Sequence, residues 1–237
     1  DDIAAFIMES GAQMAGGVII YPKDFQKKIS ELCKKYNILF VLDEIATGFG
    51  RLGSMVQYQE QKSKPDIVAY GKMLTGGYMT MAATLANKKI YDSFSGEFYD
   101  WKHLFHGHTY TGNPIAAAVA NENIHMYEKY NLIKKIQNTS KIFTKYYQEI
   151  LDIDIVGDIR HKGMLMGIEL VSDKEKKIPI RTKKSINKVF YTHLHADQTH
   201  GINDLRPFFL INKKQIPVYA DSNTKRYLLS TFKYCFK

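Results

Sequence analysis

The chain has 237 residues, of which 45% are hydrophobic and 24% are charged, values ordinary for a soluble globular protein. Its formal net charge is +9, but the lysines stand in scattered pairs without an aromatic-interleaved basic motif, which argues against nucleic acid as a partner. The two cysteines lack zinc or CxxC spacing, and no stretch indicates a signal peptide or a membrane span, so we expect a reduced, cytoplasmic setting and no membrane partner.

The first half of the chain alternates strand and helix patterns. Apolar runs over Ile3–Met8 and Ile38–Leu42 predict buried strands, and an apolar stripe over Phe25–Tyr36 predicts the helix between them. This strand–helix–strand unit predicts parallel pairing. Two more strands are predicted, at the apolar start of the Asp66–Thr80 stretch and over Met81–Ala86, so we expect an α/β fold.

The second half is predicted to hold longer helices and a smaller α+β region. An alanine-rich helix is expected from Pro114 toward Tyr130, and a domain boundary is placed there, giving residues 1–129 and 130–237. The remaining predicted elements are a helix over Ile133–Ile150, a strand over Met164–Leu170, a helix over Thr182–Leu194, an edge strand from Leu205 to Phe208 and a last helix capped by Ser222.

One lysine stands in an unusual setting between glycines. Lys72 follows the strand that begins after Asp66, with Gly71 before it and the Gly76-Gly77 turn after it. Glycines let the backbone lie close to a bulky group. A lysine enclosed beside such a group loses part of its hydration, which lowers the pKa of its amine and makes the amine available as a nucleophile. The alternative is an ordinary surface lysine, which this stretch alone does not exclude.

An acid stands at the end of the preceding predicted strand. Ile38–Leu42 ends abruptly on Asp43-Glu44. In open α/β sheets ligands bind at the carboxyl ends of strands, and an aspartate there can hold a cationic ring nitrogen. A turn or helix cap is the alternative for Asp43, and pairing with Lys72 on the next strand end makes that alternative less favourable.

Three motifs closely resemble, in the same order, those of the class III, fold-type I aminotransferases. They are Asp43–Arg51, Gly71–Thr80 and His106–Pro114. The resemblance implies pyridoxal 5'-phosphate as cofactor, a large cofactor-binding domain with a mostly parallel sheet, a smaller α+β domain after it, and a homodimer. The sequence from Thr75 to Leu85 is most similar to that of members that transfer an amino group to 8-amino-7-oxononanoate in biotin synthesis. The donor in these members is S-adenosylmethionine or, in some relatives, lysine.

The same resemblance implies roles for individual residues. Lys72 would be the catalytic lysine that bonds to the cofactor and moves the substrate proton, and Asp43 would keep the ring nitrogen protonated. Thr109 would bind the cofactor phosphate of the neighbouring subunit, and His108 would take the backbone position beside it. A turn hydroxyl is the alternative for Thr109.

Three further residues fall on substrate positions of the resembled family. Gly107 would lie near the substrate, Arg206 would grip its carboxylate with a bidentate guanidinium, and Arg51 would lie close by. A surface arginine is the alternative for Arg206. No metal is expected, because the spacing of His193, His195 and His200 fits no standard site.

The chain also departs from the resembled pattern. Where the family has Glu-Pro after the first strand, this chain has Glu9-Ser10. The phosphate loop and the ring-stacking aromatic of the family are not found in it, so we expect a C-terminal portion of a longer enzyme that binds cofactor poorly and turns over slowly alone. Another class III enzyme acting on an ω-amino acid or diamine, and a non-catalytic dimerisation module, remain the alternatives.

Overall fold

The computed structural model describes residues 2–179, 186, 188–195, 199–205, 208–210 and 213–236. The chain divides into two compact units, Asp1–Glu169 and Leu170–Lys237. The predicted division after residue 129, between a large and a small domain, stays a prediction. Among the described residues, no helix combines the length and the apolar character needed to cross a bilayer.

The first unit alternates strands and helices, as the sequence predicts. Its elements are β1 (Ala5–Glu9), β2 (Ala12–Gln13), β3 (Ile19–Ile20), α1 (Phe25–Lys35), β4 (Leu39–Asp43), α2 (Gln57–Glu60), β5 (Ile67–Tyr70), β6 (Ala83–Ala86), α3 (Lys88–Ser93), α4 (Pro114–Lys129), α5 (Leu132–Leu151), β7 (Val156–Lys162) and the start of β8 (Leu165–Asp173). Single 3-10 turns cover Lys72–Thr75 and Phe98–Asp100.

Four strands form the central sheet of this unit in the order β1-β4-β5-β6. β1 pairs parallel with β4, and β4 pairs parallel with β5, whereas β6 runs antiparallel to β5. Helix α1 connects β1 to β4, because parallel neighbours need a crossover connection. The predicted mostly parallel α/β sheet is therefore confirmed.

The strand predicted over Ile3–Met8 forms as β1, but its predicted burial is wrong in this structure. Ile7 is 70% exposed and Phe6 is 41% exposed. The reason is its position, since β1 is an edge strand that pairs only with β4. An apolar run therefore identified the strand correctly but not the surroundings of its side chains.

The core of the first unit is built on β4 and β5. Alternate residues of these strands are buried, as expected for side chains that point to opposite faces. The buried members of the cluster are Cys33, Phe40, Leu42, Phe49, Val68, Tyr70, Leu74, Ala120 and Tyr127. Phe49 packs edge-on against Tyr70 with ring centroids 5.4 Å apart, and the Tyr127 hydroxyl donates to the Phe49 carbonyl (2.8 Å). These contacts connect the loop after β4 to both β5 and α4.

Helices α4 and α5 confirm the two long helices predicted from sequence. Asn113 caps α4 by accepting hydrogen bonds from the backbone of Ile115 (2.9 Å) and Ala116 (3.3 Å), with Pro114 at the first helical position. Gln137 on α5 donates to the Gly53 carbonyl (2.9 Å). Both helices therefore pack against loops at the carboxyl ends of the strands.

The second unit has a smaller core. It contains the end of β8, β9 (Ile178–Pro179), β10 (Val189–Tyr191), β11 (Val218–Ala220), α6 (Ser222–Thr231) and 3-10 turns over His200–Leu205 and Lys233–Phe236. β9 pairs antiparallel with β8, and β10 pairs parallel with β11. Ile202, Leu228 and Phe232 form the buried cluster.

Three sequence predictions in the second unit need correction. The helix predicted over Thr182–Leu194 is wrong at β10, where the β-branched and aromatic run Val189–Tyr191 pairs with β11 and Phe190 stacks on Tyr219 at 4.8 Å. The predicted edge strand is wrong at Leu205, which ends a 3-10 turn. The residues 182–185, 187, 206 and 207 of these predictions lie outside the described residues.

The cap of the last helix is shifted by one residue. Asp221, rather than the predicted Ser222, accepts from the backbone N–H groups of Asn223 (2.8 Å) and Thr224 (3.2 Å). The Thr224 hydroxyl and these backbone bonds lower the pKa of Asp221. Ionised aspartate is the stronger acceptor, which explains why it takes the cap position.

We expect Asp221→Ala to destabilise the second unit at pH 7, because α6 loses its cap. Since the folded-state pKa of Asp221 is lowered, its contribution is present above the ordinary aspartate value of about 3.9 and is lost as the pH falls through the lowered value. Amide hydrogen exchange at Asn223 and Thr224 should be faster in the variant at pH 7. Thermal unfolding should show the difference between variant and parent shrinking toward pH 2, and a difference of constant size would contradict the assignment.

Candidate active site

Three strands end at one edge of the central sheet. Glu9 at the end of β1 is in register with Asp43 at the end of β4, and Asp43 is in register with Ala69 on β5. Lys72 follows Ala69 by three residues, in the 3-10 turn directly after β5. Paired strands lie about 4.8 Å apart. The parallel pairing therefore places the predicted acid at the end of β4 and the predicted amine in the turn that follows the neighbouring strand β5.

Asp43 is partly buried and partly committed to a local bond. Its Oδ1 accepts a hydrogen bond from the Ile45 backbone N–H (2.8 Å). A carboxylate has about four acceptor positions, so capacity remains for another donor. The peptide group between Asp43 and Glu44 is held at both ends, because the Asp43 carbonyl accepts from Ser10 N (2.9 Å) and Glu44 N donates to the Ala69 carbonyl (2.9 Å).

Lys72 has an unusual backbone but not the enclosed side chain expected from its glycine neighbours. Its φ is +43°, in the left-handed region, which costs a residue with a Cβ about 1–2 kcal/mol. The residue is exposed, so the expectation that its side chain is enclosed is wrong for this chain by itself. Gly71 is buried, and a Cβ there would lie 3.2 Å from Ile45 Cγ2. The glycine thus allows β5 to pass close to the loop after Asp43.

The turn that carries Lys72 is held from α4. Asn123 Nδ2 donates to the carbonyls of Met73 (2.7 Å) and Leu74 (3.1 Å). Asn123 was missed by sequence reasoning, because it lies 50 residues from Met73 in a run that only indicates a helix. The signal in the sequence that could have found it was a polar residue in a helix otherwise rich in small side chains.

Glu44 was also missed as a residue of interest in its own right. It is fully buried, and its carboxyl accepts from the backbone N–H groups of Gln57 (2.9 Å) and Tyr58 (2.7 Å) at the start of α2. Burial raises the pKa of Glu44, and these hydrogen bonds oppose that shift. The Asp-Glu pair in the sequence was the signal that could have found it.

Arg51 lies in a loop that the structure fixes closely. Its carbonyl accepts from Met164 N (2.8 Å), and a Cβ on Gly163 would lie 2.6 Å from that carbonyl oxygen. Only glycine permits this approach, since Gly163 also has a φ of +62°. Arg51 Nε is buried and has no hydrogen-bond partner among the described residues.

The predicted phosphate residues lie in an exposed turn before α4. His108 N donates to Thr111 Oγ1 (2.8 Å), and His108 Nδ1 accepts from Tyr110 N (3.1 Å). Gly107 and Thr109 are exposed in the same turn. Arg206 lies outside the described residues. The structure thus brings Asp43 and Lys72 to one sheet edge and presents residues 107–109 at the surface.

Comparison with known proteins identifies the class. Residues 1–222 match the family described as "Aminotransferase class-III". With the α/β sheet and the Asp43–Lys72 edge, this match shows that the chain belongs to the class III aminotransferases.

The individual relatives are more specific. The chain is 45% identical over 184 residues to the adenosylmethionine-8-amino-7-oxononanoate aminotransferase of Staphylococcus aureus (strain NCTC 8325 / PS 47), covering 78% of this chain and 41% of the relative. The crystal structure of the Methanocaldococcus jannaschii enzyme of that name is similar with a TM-score of 0.69 and 43% identity, over 73% of this chain and 40% of that one.

A solved relative with a different name is also similar. An (S)-enantioselective omega-transaminase from Thermomicrobium roseum matches with a TM-score of 0.70 and 33% identity, over 74% of this chain and 38% of that one. The chain therefore spans about two fifths of the length of these three relatives.

We expect Asn123→Ala to lower the free energy of unfolding by about 1–2 kcal/mol, because two carbonyls of the Lys72 turn lose their donor. Asn121→Ala is the matched control, since Asn121 is exposed on the same helix and should change stability by less than about 0.5 kcal/mol. Urea unfolding of both variants measures the difference. Equal losses would show that the Asn123 bonds do not support the turn.

Proposed function

We propose that this chain carries the catalytic lysine of a pyridoxal 5'-phosphate-dependent aminotransferase of biotin biosynthesis. The reaction would transfer an amino group from S-adenosylmethionine to 8-amino-7-oxononanoate, giving 7,8-diaminononanoate. The carrying observation is the alignment of Asp43 and Lys72 at neighbouring ends of parallel strands. The choice of substrates rests on the name of the Staphylococcus aureus relative.

The residues at the sheet edge fit this cofactor. Asp43 offers a carboxylate with unused acceptor positions, Lys72 offers a primary amine that is not buried, and Gly71 lets the backbone before Lys72 pass close to Ile45. When bound, pyridoxal phosphate supplies a reactive carbonyl and a ring that stabilises a carbanion. An acid, an amine and a close backbone are the groups that hold such a ring from the protein side.

Two protons are handled by this chain in the proposed mechanism. Asp43 would hold a proton on the ring nitrogen, because an ionised carboxylate stabilises the cationic form of its partner. Lys72 would hold the cofactor covalently through Nζ, and when released the same amine would carry a proton to and from the substrate Cα. The bond between Asp43 Oδ1 and Ile45 N orients the carboxylate for the first task.

Substrate and phosphate recognition is proposed for the remaining predicted residues. Arg206 would bind the substrate carboxylate in bidentate fashion, with Arg51 and Gly107 nearby. The unpaired Nε of Arg51 supports a role for that side chain, because a buried donor without a partner favours an added acceptor. Thr109 and the His108 backbone would bind phosphate, and their exposure suits binding in the site of a second subunit.

We also propose a cytoplasmic homodimer. An aromatic loop, defined as residues 94–110, leaves large side chains in water, with Phe105 85% exposed and Trp101 80% exposed. Contiguous exposed apolar surface of this kind marks an interaction site. The loop includes His108 and Thr109, so a second subunit covering it would receive those residues near its own sheet edge.

Phe105→Ser should weaken dimer formation, because it removes a large apolar side chain from the aromatic loop. We expect the dimer dissociation constant to rise about tenfold or more, as for an interface hot spot. Sedimentation equilibrium measures the constant. Tyr146→Ser is the control, since Tyr146 is exposed on α5 outside the loop, and a parent chain that stays monomeric at all concentrations would exclude the homodimer.

The covalent attachment site tests the proposed chemistry directly. We expect borohydride reduction of the chain with pyridoxal phosphate, followed by peptide mass spectrometry, to place the label on Lys72 even where binding is weak. Asp43→Asn should lower that labelling about tenfold or more, because the ring-nitrogen partner loses its charge. Labelling of the exposed Lys88 should stay unchanged as the internal control. Label spread evenly over surface lysines would overturn the assignment.

The Thermomicrobium roseum relative favours a second candidate, an omega-transaminase acting on ω-amino acids or diamines. The two functions differ in their amino donors. Half-reactions with S-adenosylmethionine, lysine and an ω-amino acid, followed as the spectral change of the bound cofactor, separate them. A chain that binds cofactor but reacts with none of these donors would fit a dimerisation module instead.

A further inference from the structure

We propose that Glu44 is a positioning residue that sets the direction of the Asp43 carboxylate, with Ser10, the residue directly after β1, as its partner. The inference rests on the proposed cofactor role of Asp43. It assigns to the buried carboxyl a task beyond support of α2, which is to hold the backbone from which Asp43 and Ile45 project.

The bonds of Glu44 leave its side chain no freedom. Both carboxyl oxygens are used, Oε2 by Gln57 N (2.9 Å) and Oε1 by Tyr58 N (2.7 Å), and the residue is 0% exposed. The Gly48 backbone closes over it, since a Cβ on Gly48 would lie 2.9 Å from the Glu44 carbonyl oxygen. The backbone of Glu44 is bonded as well, since its N–H donates to the Ala69 carbonyl (2.9 Å) and its carbonyl accepts from Gly48 N (3.0 Å).

Ser10, which directly follows the edge strand β1, hydrogen-bonds the end of β4. Its backbone N–H donates to the Asp43 carbonyl (2.9 Å), a bond that a proline at this position could not make. Its hydroxyl accepts from Gln26 Nε2 (3.0 Å) and donates to Gln26 Oε1 (3.3 Å), which also accepts from Gly11 N (2.8 Å). Burial raises the pKa of Glu44, and the Ser10 hydroxyl opposes that rise. Ser10, Gln26 and Glu44 are all fully buried, so these bonds are shielded from water.

The coupling from Glu44 to Asp43 passes through one peptide group. Asp43 Oδ1 is oriented by the N–H of Ile45, and that N–H belongs to the peptide unit whose carbonyl is that of Glu44. The Glu44 carbonyl of the same peptide unit accepts from Gly48 N (3.0 Å), so the Glu44 side chain acts together with that bond to hold the Ile45 N–H toward Asp43. Release of the side chain removes one of these two restraints and weakens the bond that orients the carboxylate.

Charged and titratable groups of neighbouring elements act on the same carboxyl. Burial is the main cause that raises the pKa of Glu44, and Glu60 on α2 adds to it; burial likewise raises the pKa of Tyr70 on β5, and Glu44 adds to that rise. Lys162 on β7 lies 3.1 Å from Glu60 and 3.2 Å from the Gln57 amide oxygen. Glu60 is thus the natural control, because it is a nearby acid that forms no bond with the Asp43 strand end.

The test is made on the cofactor-free chain, so its outcome does not depend on the proposed function. In Glu44→Gln we expect the Ile45 amide resonance to move toward its position in Asp43→Asn, because the bond to Oδ1 weakens. The Asn87 amide, which donates to the Asp66 carbonyl at 2.8 Å elsewhere in the unit, should stay unchanged. Glu60→Gln should leave the Ile45 amide in place.

A purely structural role gives a different pattern. If Glu44→Gln shifts only the Gln57 and Tyr58 amides, or shifts all amides of the unit alike, the positioning role is overturned. Should Glu44→Gln fail to fold, Ser10→Ala keeps the backbone bond but removes the hydroxyl, and it should move the Ile45 amide in the same direction. An unmoved Ile45 amide in a folded Ser10→Ala chain would likewise overturn the proposal.

A second readout connects the inference to the cofactor. Pyridoxal phosphate affinity, measured by absorbance titration, should fall about tenfold in Glu44→Gln, equal to one lost hydrogen bond to a charged group. The Lys72→Ala variant distinguishes failure of the proposed function from failure of the positioning role. If Lys72→Ala binds like the parent while the Ile45 amide still responds to Glu44→Gln, the proposed function fails and the positioning contact stands. If Glu44→Gln binds like the parent, the positioning role fails.

Discussion

The register between β4 and β5 is the constraint on which the candidate site depends. It places Asp43 opposite Ala69, so that the chain leaving β5 begins its turn beside the loop leaving β4. A shift by one residue would turn every side chain of a strand to the other face and would bury Asp43 differently. The buried residues Phe40, Leu42 and Val68 oppose such a shift, because each would leave the core. The same strand register is therefore required both for packing of the core and for the geometry of the candidate site.

Two residues with left-handed backbone and a buried carboxyl lie close to this register. Lys72 and Phe49 both have positive φ, and each is held by a side chain of α4, Lys72 through the Asn123 bonds to its turn and Phe49 through Tyr127. Strained positions persist only where their surroundings determine them, and they cluster at functional sites. The buried Glu44 carboxyl belongs to the same pattern, because an ionisable group is buried only with hydrogen-bond partners.

The described chain leaves much apolar surface uncovered on β1 and on the aromatic loop. Ile7, Trp101 and Phe105 are all at least 70% exposed, whereas monomeric soluble proteins rarely expose large contiguous apolar patches. The chain spans about two fifths of the relatives it matches. The exposure of Lys72 is consistent with this, since an amine at a strand end becomes enclosed only when other elements cover the edge.

The sequence by itself determined the α/β class, the long helices and the candidate pair Asp43 and Lys72, because periodicity, helix caps and ordered motifs are local properties. Only the tertiary structure decided the surroundings of those residues. Asn123 and Gln26 acquire their partners from contacts 50 and 16 residues away, which no local pattern specifies. Val189–Tyr191 became a strand for the same reason, since its pairing with β11 outweighs the helical pattern around it. Long-range contacts, which do not exist until the chain has folded, therefore settled what the local patterns left open.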